Sequence, residues 1–150
     1  MLPPLDTIFV GLVKDENAFA ELLEDFDIED DDFVLPRCEF AKMFGFCDIN
    51  DDYFDFRILE NTCKPQDFFT NMLEAVPEQA RKDTFRPWPL KGIQRSLEYV
   101  HKCGVEEINI VVVMGNCHSS KFTLNKTRVI DSTFPFMYCG RYDDTGMPII

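Results

Sequence analysis

The sequence predicts an α/β (α+β) fold, in which a mixed, mainly antiparallel β-sheet packs against several helices. A length of 150 residues and a hydrophobic content of 45% suit a single buried core. Apolar residues at helical spacing fill the middle of the chain, whereas strand-like segments lie near its start and in its last third. No repeat or low-complexity linker divides the chain, so we expect residues 1–150 to form one domain.

The first half begins with a strand-like segment, Thr7–Val13, and we expect the strand itself to end near Gly11. An amphipathic helix follows, because apolar residues recur at i, i+3, i+4 and i+7. These residues are Phe19, Leu22, Leu23 and Phe26. A short second helix is predicted between Pro36 and Phe44.

Tyr53–Leu59 alternates between aromatic or apolar and polar residues, which favours a strand with Asp55 and Arg57 facing solvent. Pro65 then opens a helix. Its apolar face comprises Phe68, Phe69, Met72, Leu73 and Val76.

A further helix has Leu90, Ile93, Leu97 and Val100 on one face and ends at Gly104. The β-branched run Ile108–Met114 is typical of a central strand covered on both faces. Three shorter strands are predicted to follow as a meander. They are Lys121–Leu124, Arg128–Asp131 and Phe134–Tyr142.

All of the surplus negative charge lies in the first 60 residues, which hold 17 Asp and Glu against 4 Lys and Arg. Two acidic runs stand out, Glu29-Asp30-Asp31-Asp32 and Asp48-Ile49-Asn50-Asp51-Asp52-Tyr53-Phe54-Asp55. Such a surface repels phosphate and attracts basic protein surfaces, so nucleic-acid binding through this half is disfavoured. The simplest alternative is a solvated acidic surface without a partner.

The sequence offers little for catalysis or cofactor binding. It contains no phosphate-binding glycine motif, and Asp48-x-Asn50-x-Asp52 lacks the Gly and Glu that complete a calcium loop. Cys117 and His118 are adjacent, which does not by itself make a catalytic dyad. We therefore expect no cofactor and no metal. The six cysteines form no CxxC pair and are interpreted as free structural thiols.

The chain has no apolar run long enough for a membrane span and no basic, apolar start typical of a signal peptide. We expect a cytoplasmic protein that does not contact membranes. Trp88, the only tryptophan, is either an exposed binding anchor or a residue of the core.

Four segments resemble the small immunity proteins that bacteria carry beside polymorphic or contact-dependent growth inhibition toxins. They are Ile8-Phe9-Val10-Gly11 with the acidic helix after it, Phe40-Ala41-Lys42-Met43-Phe44-Gly45-Phe46, Asn50-Asp51-Asp52-Tyr53-Phe54-Asp55 and Ile108–Met114. This chain departs from the usual pattern at Phe9, where Trp is more common, and at Asn50 and Asp55, where Asp and Glu are more common.

The resemblance implies a non-enzymatic inhibitor that binds a cognate toxin domain and neutralises it. Many such toxins are nucleases with basic clefts, which an acidic surface complements. Carboxylates of the two acidic runs would face the toxin, with Tyr53 as an aromatic anchor. These expected toxin-binding residues are Asp30, Asp31, Asp32, Asp48, Asp51, Asp52, Tyr53 and Asp55. The alternative is a small cytoplasmic hydrolase or metal-dependent enzyme that uses the same clustered carboxylates.

Overall fold

Five β-strands and four α-helices account for most of the chain that the computed structural model describes, which comprises residues 5–24, 38–44, 54–75, 88–115, 130, 135–143 and 145–149. The strands are β1 (Asp6–Gly11), β2 (Phe54–Cys63), β3 (Ile108–Gly115), β4 (Phe136–Tyr142) and β5 (Pro148–Ile149). The helices are α1 (Glu16–Leu23), α2 (Glu39–Phe44), α3 (Pro65–Ala75) and α4 (Leu90–Lys102). The predicted α+β class is confirmed.

The strands form one sheet in the order β2-β3-β1-β4-β5, and every pairing among the described strands is antiparallel. β1 lies in the centre, between β3 and β4. Of the three strands predicted to form a C-terminal meander, Phe134–Tyr142 corresponds to β4, which pairs with β1 and β5. The other two lie almost entirely outside the described ranges, so the meander itself stays a prediction. Among the described strands, only β4 and β5 form a sequential hairpin, and β5 was not predicted.

Helices cover both faces of the sheet. Alternate residues of a strand point to opposite faces, so Phe9 of β1 packs on one side while Ile8 and Val10 pack on the other. α1 and α2 lie on the Phe9 side, which we call the α1/α2 layer. α3 and α4 lie on the opposite side, the α3/α4 layer. The sheet is the middle layer of three.

Aromatic rings fill the core beneath the α1/α2 layer. The ring of Phe9 lies 5.2 Å from that of Phe40 and 4.5 Å from that of Phe44, centroid to centroid. Phe19 of α1 meets Phe40 at 6.0 Å, edge to face. Gly11 permits this packing, because a Cβ there would lie 2.5 Å from the ring of Phe136.

Beneath the α3/α4 layer the core is mostly aliphatic. Phe68 and Met72 of α3 and Ile93, Leu97 and Val100 of α4 are buried against the sheet. α4 ends where predicted, since Gly104 adopts a φ of 83°. Leu90 differs from the prediction: at the first turn of α4 it remains 37% exposed.

Most predicted elements lie close to their observed positions. β2 extends beyond the predicted end at Leu59 to Cys63, and α2, which was predicted between Pro36 and Phe44, spans Glu39–Phe44. β3 is buried along almost its whole length, as its β-branched run predicts. Residues Lys121–Leu124 and most of Arg128–Asp131 lie outside the described ranges; Ile130 is described and belongs to no strand. No helix in the described ranges is long and apolar enough to cross a membrane.

Asn109 is a buried polar residue at the start of β3. Its Oδ1 accepts from the backbone N–H of Val13 at 2.9 Å, and its Nδ2 donates to the carbonyl of Val13 at 2.7 Å. The Asn109 side chain thus extends the hydrogen bonding between β1 and β3 two residues beyond the end of β1. Both backbone groups of Val13 depend on it.

We expect Asn109→Ala to lower the free energy of unfolding by roughly 2–4 kcal/mol, because it leaves two polar backbone groups without partners. Urea denaturation followed by circular dichroism measures this loss. The matched control is Asn17→Ala on the exposed surface of α1, which should change stability by less than about 0.5 kcal/mol. Equal effects of the two substitutions would contradict the role given to Asn109.

Candidate functional site

Exposed acids dominate the described surface of the α1/α2 layer. Asp15 caps the N-terminus of α1, accepting from the N–H of Ala18 at 2.8 Å. The other exposed acids are Glu16, Glu21, Glu24 and Glu39, and the exposed bases of this layer are Lys14 and Lys42. The described part of the layer therefore carries a net negative charge.

The described part of the α3/α4 layer is close to neutral. α4 presents Lys91, Arg95 and Lys102 against Glu98, all of them exposed. α3 adds Asp67 and Glu74, and Lys64 precedes it. The charge asymmetry seen along the sequence is thus also an asymmetry between the two faces of the fold.

Seven of the eight predicted toxin-binding residues lie outside the described ranges. They are Asp30, Asp31, Asp32, Asp48, Asp51, Asp52 and Tyr53. Their place in the chain is nevertheless informative, because residues 25–37 join α1 to α2 and residues 45–53 join α2 to β2. In the sequence, one acidic run therefore lies between α1 and α2, and the other begins between α2 and β2 and ends with Asp55 in β2.

Asp55 is the described member of the predicted site, and its carboxylate already has partners. It forms an ion pair with Arg57, with Oδ1 and Nη1 3.0 Å apart, and accepts from Trp88 Nε1 at 3.1 Å. The guanidinium of Arg57 lies over the Trp88 ring, 4.3 Å from its centroid. We call Asp55, Arg57 and Trp88 the Asp55 cluster.

Asp55 and Arg57, which were expected to face solvent, do so only in part. Their side chains are 43% and 22% exposed, respectively, and lie on the side of β2 that carries the α3/α4 layer. Trp88, just before α4, packs against that side and binds both. Trp88 is partly buried against the core, which fits the second of its two predicted roles. Its role as a binding anchor for a partner stays a prediction.

The sequence contained a signal for this cluster. Residues at i and i+2 of a strand share a face, so the Asp-x-Arg spacing within a predicted strand already predicts an ion pair. Trp88, in contrast, is 33 positions away from Asp55, and no local pattern links them.

In the described ranges, no group of three His, Cys, Asp or Glu side chains comes together as a metal site. His101 is exposed and lines an open groove of about 440 Å³ between α3 and α4 with Phe69, Leu97 and Glu98. Cys117 and His118 lie outside the described ranges.

The described cysteines are free thiols, as predicted: Cys38, Cys63, Cys103 and Cys139. Cys38 accepts from the N–H of Ala41 at 3.4 Å at the start of α2. Burial raises the pKa of Cys139 far above its usual value, which keeps the thiol protonated. Burial also raises the pKa of nearby Tyr99 to about 12, with Cys103 adding to the effect. These groups are suited to packing rather than nucleophilic chemistry.

The carboxylate of Asp143 organises the hairpin between β4 and β5. It accepts from the hydroxyl of Thr145 at 2.6 Å and from the N–H of Met147 at 2.9 Å. These hydrogen bonds lower its pKa. The role of Asp143 is therefore to hold a turn.

We expect Asp55→Ala to shift the fluorescence emission of Trp88 to longer wavelength, because the indole loses its acceptor and Arg57 loses the anion that holds it over the ring. Since Trp88 is the only tryptophan, the emission spectrum reports on this cluster alone. Unfolding stability should fall by about 1 kcal/mol, as expected for a partly exposed ion pair.

The control is Glu60→Ala, which removes an exposed acid from the same strand. An unchanged spectrum for Asp55→Ala, or the same change for Glu60→Ala, would show that Asp55 does not hold Trp88.

No protein-family model, curated protein or solved structure matches this chain. The candidate site therefore rests on the charge and geometry of the chain's own residues.

Proposed function

We propose that this protein is a non-enzymatic cytoplasmic immunity protein, which binds a cognate bacterial toxin domain through its acidic α1/α2 side and neutralises it. The observation that carries the proposal is the segregation of charge between the two helical layers. The resemblance of four segments to immunity proteins of toxin systems supports the same class.

The uneven distribution of charge gives the protein an electric dipole, with its negative end on the α1/α2 side. The first 60 residues, which supply α1, α2 and most of β2, hold 17 acids and 4 bases, whereas the rest of the chain holds 10 acids and 11 bases. A partner with a basic surface is drawn towards the α1/α2 side, which raises the rate of productive encounters. Rapid association suits an inhibitor that must act before its toxin does.

A nuclease is the toxin class that this surface complements best. Its cleft holds a polyanion and is therefore basic, so carboxylates of the inhibitor can occupy the positions of phosphates. We assign the partner-facing charges to Asp30, Asp31, Asp32, Asp48, Asp51 and Asp52, with Tyr53 as an aromatic anchor.

Asp55 is expected to contribute less than the other acids. Its charge is balanced by Arg57 at 3.0 Å, so the pair is nearly neutral at long range. Binding through Asp55 would require the partner to replace Arg57.

The direct test is affinity purification of the tagged protein from its source, with mass spectrometry of what co-purifies at low and at high salt. Recovery of one basic protein domain that high salt releases would support the proposal and identify the toxin. Absence of a specific protein, together with hydrolysis or metal binding in substrate screens, would favour the alternative enzyme. Nuclease assays of the recovered domain, with and without the inhibitor, test neutralisation itself.

We expect Glu21→Lys with Glu24→Lys to slow association with the toxin domain by about tenfold at low salt and to weaken its salt dependence. Both acids are exposed at the C-terminal end of α1. Lysine is favoured there by the helix dipole, so the melting temperature should hold or rise. Slower binding cannot then be attributed to unfolding. Stopped-flow kinetics across a salt series gives the rate.

Asp51→Lys with Asp52→Lys should have the same kinetic effect and should also increase the dissociation rate if these acids enter the interface. Surface plasmon resonance separates the two rates. Unchanged rates would place the interface elsewhere on the protein.

The control for both pairs is Glu106→Lys with Glu107→Lys, which makes the same change of net charge at two exposed neighbours between α4 and β3. This variant should bind nearly as fast as the native protein. A reduction equal to that of the other pairs would mean that only the net charge matters and that the α1/α2 side has no special role.

A further inference from the structure

Among the described strands, β2 is the longer of the two at the edges of the sheet. Edge strands expose backbone N–H and C=O groups that pair readily with another extended chain. The other edge strand, β5, spans two residues, of which Pro148 has no N–H to donate. β2 spans ten residues, and no described strand pairs with its outer side.

The regular part of this edge is centred on Phe56. β2 pairs in register with β3 from Phe54 to Ile58, and the register shifts between Ile58 and Cys63. Irregular strand segments are poor templates for pairing. Strand addition would therefore be limited to residues 54–58.

Both backbone groups of Phe56 are occupied by side chains of its two neighbours in the chain. Its N–H donates to Asp55 Oδ1 at 2.8 Å, and its carbonyl accepts from Arg57 Nη1 at 2.9 Å. Since the N–H and C=O of a residue in an antiparallel strand point to the same side, both groups of Phe56 face away from β3. Trp88 holds the two capping side chains in place.

We propose that the Asp55 cluster is a lock that closes the β2 edge to strand addition, and that the strand it excludes is the β2 edge of a second copy of this chain. The locked protein is a monomer. Opening the lock yields a dimer in which two β2 strands pair antiparallel about Phe56.

Charge complementarity points to a second copy. In an antiparallel pair centred on Phe56, Asp55 of one chain faces Arg57 of the other, and this happens twice because the contact has two-fold symmetry. On the opposite face Phe54 lies across from Ile58, so apolar side chains meet as well. The two Phe56 residues exchange N–H and C=O bonds, as directly opposed residues of an antiparallel pair do.

The locked monomer and the paired dimer provide partners for the same backbone groups and charges. Each capped backbone group of Phe56 and each charge of Asp55 and Arg57 has one partner in the monomer and an equivalent partner in the dimer. Association also restricts the motion of two molecules, which favours the locked monomer. Loss of the caps reverses this preference, because it leaves the outward groups of Phe56 without partners.

The test exchanges the two charges, Asp55→Arg with Arg57→Asp. The exchange keeps the net charge and the complementarity between two chains, but it places a donor beside the N–H of Phe56 and an acceptor beside its carbonyl. We expect light scattering coupled to gel filtration to give 17.5 kDa for the native protein and twice that mass for the variant. In hydrogen exchange, protection should increase for residues 54–58.

A second variant keeps the proposal testable if the exchanged protein does not fold. Asp55→Ala removes the cap on the N–H of Phe56 without adding a charge. This variant should dimerise more weakly than the charge-exchange variant, and its dimer fraction should rise with protein concentration. The control is Glu98→Lys with Lys102→Glu, which exchanges an exposed acid and base on α4 and should remain monomeric.

Three results would overturn the proposal. They are folded monomers for both lock variants at every concentration, open-ended assemblies in place of dimers, and protection that increases outside residues 54–58. The first would show that the caps do not control the edge, and the other two would place the contact elsewhere.

Discussion

The burial of β1 on both faces and along both edges is the constraint on which the rest of the fold depends. Its residues pair with β3 on one side and β4 on the other, so its backbone is fully enclosed. Ile8 and Phe9 point to opposite faces and are both completely buried. Neither face can be left to water, so the chain must supply a helical layer on each side. The N-terminal half supplies one layer and the middle of the chain the other, and the division of charge between the layers follows from this.

Patterns within single elements made much of the fold predictable. The helical spacing of Ile93, Leu97 and Val100 predicts α4, and the run of β-branched residues predicts β3. Strand order was not predictable, because it depends on contacts between distant residues. Nothing near Phe136 indicates that β4 pairs with β1 rather than with β3. The two-residue β5 is too short to show a period in the sequence, and it follows a turn in which the N–H of Met147 donates to Asp143.

The candidate site was predictable to a different degree at each residue. Charge counts locate the acidic surface, because they require no knowledge of packing. They do not distinguish a free carboxylate from one that is already neutralised, and Asp55 belongs to the second kind. The distinction depends on Trp88, which reaches β2 only because α4 packs across the sheet. One acid of the predicted set therefore stabilises the protein's own sheet edge.

The central position of β1 also determines when the protein can fold during its synthesis. Val13, just beyond β1, is bonded to Asn109, which lies 96 positions later in the chain, and β4 follows still later. At a synthesis rate of about 5–20 residues per second, the ribosome releases the β1 partners only several seconds after β1 itself. Until then the acidic half has no sheet to pack on, and such long-range pairing is slow to form. A newly started chain therefore offers no folded sheet until β3 and β4, the partners of β1, have emerged.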